Sequence, residues 1–181
     1  AVLDANGSAA APRRVVVVMP GAELRLVGVT LRGGYLVDWS GGGVESRPDG
    51  LLRLEQSHVR GCVVNSIAFD AFGGGIDNFG GRLLAVKSSI GENRVVSDQG
   101  RAGSGGLFNA GEAELRECAV DGNSASSSLN DAFGGGISNT GNARFAAHAT
   151  SISNNRATSV SGAVAVGAGL YHESSFPALL N

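Results

Sequence analysis

The chain has 181 residues, room for one domain at about 150 residues per domain, with 43% hydrophobic residues, 17% charged residues and a formal net charge of −2. That balance excludes disorder driven by charge and offers no electrostatic footprint for nucleic acid. The longest apolar run, Val15-Val16-Val17-Val18-Met19, is far too short for a membrane-spanning helix, so no transmembrane segment is expected.

Residues 1–23 read as a lead-in to the first coil. They start at Ala1-Val2 with no basic-then-apolar leader, so this end gives no reading of secretion. They also hold the only N-glycosylation sequon, Asn6-Gly7-Ser8, in a polar stretch expected to be exposed. From Leu24 to Asn181 the sequence repeats. Glycine clusters open at Gly41, Gly73, Ser104, Gly134 and Gly167, so successive units are 32, 31, 30 and 33 residues long. A second signature follows each cluster in turn: LRLEQSHVRGC from Leu52, LLAVKSSIGEN from Leu83, AELRECAVDGN from Ala113 and FAAHATSISNN from Phe145, with an earlier copy from Leu24.

Stacking these copies gives columns that alternate as a half-buried strand does. Leu52 and Leu54 face in, whereas Arg53 and Glu55 face out. Leu31, Val59, Ile90, Val120 and Ile152 form one apolar column, and Val44, Ile76, Leu107, Ile137 and Leu170 form another just after the glycines. Three short strand pieces per unit are expected. Helical repeats of similar length are disfavoured, because each interior glycine costs a helix about 1 kcal/mol relative to alanine and no segment keeps a 3.6-residue apolar period. A parallel β-helix fits better: one unit is one coil, and equivalent residues stack about 4.8 Å apart around a narrow interior. Ala85, Ala113, Ala147 and Cys118 suit that interior.

Two asparagine columns support the same reading. Asn78, Asn109 and Asn139 follow the first strand, and Asn93, Asn123 and Asn155 close the last one. Asparagine tolerates left-handed backbone at corners, and its amide can bond to the copies above and below, so structural ladders are expected. The segments GGGIDNFGGRLLAVKSSIGEN and SGGLFNAGEAELRECAVDGN resemble the β-helix repeats of polymorphic outer-membrane-type proteins and related large surface proteins, over Leu24 to Asn181. The resemblance implies a right-handed coil and an extracellular or cell-surface module with a structural or adhesive role. Right-handed parallel crossovers agree with it. The segment Glu45-Ser46-Arg47-Pro48-Asp49 departs from the pattern, and a distorted coil is expected there.

Little in the sequence carries catalytic chemistry. Asp70 and Asp131 each stand in Asp-Ala-Phe-Gly-Gly-Gly, 61 residues and thus two coils apart, with Arg101 between them. Two coils is about 10 Å, at or beyond the limit for paired glycosidase carboxylates, so both are expected to cap turns. His58 and His148 fall at outward strand positions, and Cys62 and Cys118 lie in different columns, so free thiols are expected. Tyr35 and Trp39 sit in a segment that looks outside the repeat and are expected to cover a core edge.

The expected protein is all-β, a right-handed parallel β-helix of about five to six coils with a period of about 31 residues. No catalytic, cofactor-binding or metal-ligating residue is assigned. The expected role is that of a non-enzymatic structural or adhesive module acting through protein–protein contacts; the alternative is a polysaccharide lyase or hydrolase-like β-helix, or a glycan-binding module. Aligned with the earlier units, the last one stops in mid-coil at Asn181 with no polar cap after Phe176-Pro177-Ala178-Leu179-Leu180. The expected partners are therefore other protein chains or a continuation of the same β-helix at that end, together with glycans.

Overall fold

A computed structural model describes residues 1–181 and shows a parallel β-solenoid of six turns without a helix. One coil, taken from the middle, runs Ile76–Asn78, Arg82–Val86, Ser89–Gly91, Arg94–Ser97 and Ala102–Gly103. Each strand pairs in parallel with its equivalents one coil before and after, which builds five sheets, here numbered 1 to 5 in that order. Three strands per coil are expected from the apolar columns of the sequence. The other two lack so regular a column: the sheet 4 strands change between Leu, Val and Ala at their inward position from coil to coil, and the sheet 5 strands, such as Ala102–Gly103, are only two residues long. For the same reason the Asn93 column closes the third strand of the coil, not the last.

The apolar columns pair as their spacing requires. Ile76 lies between Val44 and Leu107, and Ile90 lies between Val59 and Val120. Leu83 lies between Leu52 and Ala113. These residues are buried in one large core enclosed by sheets 1, 2 and 3. Leu36, Val64, Ala71, Val95, Ala102 and Ala125 form a second, smaller core between sheets 4 and 5. Its interior is mostly alanine and valine, the side chains a narrow space admits.

The glycine triplets make the waist between these two cores. Gly73, at φ +61°, turns the chain from sheet 5 into sheet 1, and a left-handed residue recurs at Gly41, Ser104, Gly134 and Gly167. At Gly74 a Cβ would come within 2.7 Å of the Arg94 carbonyl oxygen, and at Gly75 within 2.7 Å of the Asn93 amide nitrogen. The waist is thus backbone packed on backbone and on the asparagine corner.

The lead-in supplies two strands, Val2–Asp4 on sheet 3 and Val16–Val18 on sheet 1. The segment around Pro48 is not distorted: Val44–Ser46 keeps its register with Ile76–Asn78, and Asp49 absorbs the turn at φ +61°. The region of Tyr35 also belongs to the repeat, since Tyr35–Val37 pairs with sheet 4.

Candidate functional site

The expected ladders form as hydrogen-bonded stacks. Asn123 Nδ2 donates to the Ile90 carbonyl and to Asn155 Oδ1, while Asn123 Oδ1 accepts from the backbone N–H and side-chain amide of Asn93. Asn78 donates to Asn109, and Asn109 to Asn139, each at 2.6 Å. The second ladder ends at His172, whose Nδ1 lies 3.2 Å from Asn139 Nδ2. All six asparagines point inward and hold corners. Asn6 is exposed, at φ +48°.

The structure does not bring Asp70 and Asp131 together. Asp70 accepts from the backbone N–H and the guanidinium of Arg101 one coil on, and Asp131 accepts from the backbone N–H of Val164. Burial pushes the Asp70 carboxyl up, but the Arg101 contacts outweigh it and hold it below the ordinary value. Both residues cap the neighbouring coil. His58 and His148 take their outward positions, bonded to Ser89 and Asn181. Both cysteines are free and buried, and burial pushes the Cys62 thiol up to about 11, which makes it a poor nucleophile. Trp39 does not cover a core edge; it is 70% exposed.

The turn at the glycine waist leaves a crease on the outside, where the outward residues of sheet 5 meet those of sheet 1. Sheet 5 contributes Phe72 and Phe133, and sheet 1 contributes the column Glu45, Asp77, Phe108, Ser138 and Tyr171. Phe72 stacks on Phe108 at 4.7 Å between centroids, and Phe133 packs on Tyr171 at 5.0 Å. Between Phe72 and Phe133 stands Gly103, where a Cβ would strike both rings. The Phe72–Phe108 pair divides the crease into two basins. One, of about 400 Å³, is walled by Trp39, Phe79 and Asp77; the other, of about 700 Å³, by Phe133, Tyr171 and Arg101.

At the floor of the first basin, Glu45 and Asp77 are register partners on adjacent coils. Arg14 pairs with Glu45 at 2.5 Å and donates to the carbonyls of Ser40 and Gly41, and Arg47 reaches the other Glu45 oxygen at 3.1 Å. Asp77 is only 8% exposed, and its Oδ1 has no hydrogen-bond partner. Burial, reinforced by the charge of Glu45, pushes its carboxyl up to about 7 against the pull of Arg14. Sequence reasoning passed over both residues. The signal was the variable position in the pattern GGG-I-x-N, whose occupants Glu45, Asp77, Phe108, Ser138 and Tyr171 are too dissimilar to show as a column.

Fold and crease together define a parallel β-solenoid with a lateral, aromatic-walled recess. Compared with protein-family models, curated proteins and solved structures, the chain has no match in any of the three. No helix is long and apolar enough to cross a membrane.

Proposed function

We propose that this chain is a non-enzymatic adhesive module of a surface or extracellular protein, of the polymorphic outer-membrane type, and that its crease holds an extended carbohydrate chain. The observation that carries this reading is the run of aromatic rings along the solenoid axis, with Trp39 and Phe79 exposed beside an unpartnered polar group. Such a surface offers ring faces for stacking and a few fixed polar atoms for orientation. A peptide added as a β-strand is less well served, since the strands bordering the crease are already paired on both sides through the middle coils. Catalysis finds little support, because the carboxylates lining the basin with Asp77 are engaged: Arg14 and Arg47 occupy both oxygens of Glu45, Arg101 holds Asp70, and Ser66 and Ile67 hold Asp38.

The test is binding of the chain to immobilised neutral and acidic polysaccharides, with Phe108→Ala plus Tyr171→Ala as the crease variant and Arg53→Ala on sheet 2 as the control. Retention of wild type and control, loss in the crease variant and no released saccharide are expected. Equal retention by all three proteins would move the contact surface elsewhere, and saccharide release would make the chain an enzyme.

A further inference from the structure

Every charged group around the first basin has a partner except one. Arg14 is spent on Glu45 and two carbonyls, Asp38 on the Ser66 hydroxyl and the Ile67 backbone N–H, and Asp70 on Arg101. Asp77 alone, more than nine-tenths buried, makes no side-chain hydrogen bond: its Oδ1 is enclosed, and what remains exposed of the side chain borders the cavity. A hydrogen bond left unmade at a buried polar group is costly, so its persistence calls for an explanation.

The surroundings restrict what can answer it. A charged ligand would need an unpaired counter-charge, and the basin has none beyond Asp77 itself. A divalent cation would need several ligands, and no group of three or more His, Cys, Asp or Glu side chains is gathered there. Arg14 also stands close enough to repel a cation. What remains is a neutral group that can both give and take a hydrogen bond, attached to a body that packs against aromatic faces.

We infer that the basin bounded by Trp39, Phe72, Phe108 and Asp77 is a subsite for one neutral sugar ring, with a ring hydroxyl bonded to the Asp77 carboxyl. This rests on the carbohydrate reading of the crease and adds its ligand class and anchoring residue. A protonated carboxyl has one O–H donor and a carbonyl acceptor, which matches a hydroxyl in both roles. The raised value of Asp77 keeps much of it in that form near neutrality. The cavity, about 400 Å³, falls in the range of small-ligand sites, about 300–1,000 Å³.

The experiment titrates the full chain with a panel of neutral hexose oligosaccharides, and with acidic ones for comparison, using calorimetry and ligand-observed NMR. Asp77→Ala should weaken neutral oligosaccharide binding about tenfold or more, whereas Asp77→Asn, which still donates and accepts, should stay within about threefold of wild type. Thermal melts of both variants verify folding, and neither removes a packed apolar group. If wild type binds and Asp77→Ala binds equally well, the subsite fails while the carbohydrate reading of the crease stands. If Asp77→Asn is as weak as Asp77→Ala, the carboxylate charge is what matters and a neutral sugar is the wrong ligand. If wild type binds no oligosaccharide or polysaccharide at all, both inferences fall.

Discussion

On the inner side of the glycine waist, Asn93 and Asn123 are as buried as any leucine and every polar atom of their amides is bonded, coil to coil. On the outer side, Asp77 and Ser138 are also buried, yet Asp77 Oδ1 and Ser138 Oγ have no partner. The two regions belong to the same coils. What separates them is repetition: where the ladder places the same residue in successive coils each copy satisfies the next, and Asn78 Oδ1, with Ser46 and not an asparagine one coil back, is the ladder atom left without a donor. The crease column changes at every coil, from Glu45 to Asp77 to Phe108 to Ser138. A solenoid built only for stability would repeat on both sides.

The largest expected effect tests the register that both regions share. Ile90 is 2% exposed between Val59 and Val120, so Ile90→Asp puts a charge in a dry interior at a cost of several kcal/mol. The variant should lose its cooperative transition when melted by circular dichroism. A midpoint within a few degrees of wild type would mean that the column is not interior.

Next comes the ladder itself. Asn123→Ala leaves the backbone N–H of Asn93 without an acceptor and removes donors from the Ile90 carbonyl and Asn155. About 2–4 kcal/mol should be lost, read from the denaturant midpoint at constant slope. A loss below about 1 kcal/mol would show water replacing the amide, and the contrast with the crease would shrink accordingly.

At Asp77 the sign reverses. Between the ordinary value of 3.8 and about 7, the folded chain holds a proton that the unfolded chain has released, so this group lowers stability as pH rises through that window. Asp77→Asn should therefore stabilise the protein at pH 8, on the order of 1–3 kcal/mol, and change little near pH 4. Melting temperatures at the two pH values measure it. A variant less stable than wild type at pH 8 would show that the carboxylate is supported there, and the crease would then resemble the ladder.

Much of this contrast could be read from the sequence on one side and little on the other. The ladder was legible because identical residues recur at a fixed period, and the Leu, Ile and Val columns for the same reason. The crease was not. Asp70 and Asp131 drew attention because they repeat, and repetition is what assigned them to turns; Asp77 carries no such mark and shows its character only when Glu45, Arg14 and the Phe72–Phe108 pair surround it. The glycine triplets were visible as punctuation, but their packing on Arg94 and Asn93 depends on a return of the chain that no local pattern encodes. Trp39 was misplaced because the strand before it, Tyr35–Val37, lacks the flanking signature of later coils.

The smallest expected effect calibrates both regions. On the outer face of sheet 2, Arg53 pairs with Glu23 one coil back at 2.7 Å, and Arg25 pairs with Glu55 in the mirrored arrangement at 2.8 Å. The Arg53 and Glu23 side chains are 37% and 56% exposed, so water competes for both partners. Such a pair gains little Coulomb energy and costs side-chain entropy, which puts Arg53→Ala below about 0.5 kcal/mol. The bond lies within the range of the asparagine–asparagine bonds in the ladders, 2.6 to 3.1 Å. A matching loss at Arg53 and Asn123 would mean that coil-to-coil bonding stabilises this solenoid wherever it occurs. A small loss at Arg53 beside a large one at Asn123 isolates burial as the cause, and burial is also what makes the unpaired carboxyl of Asp77 costly.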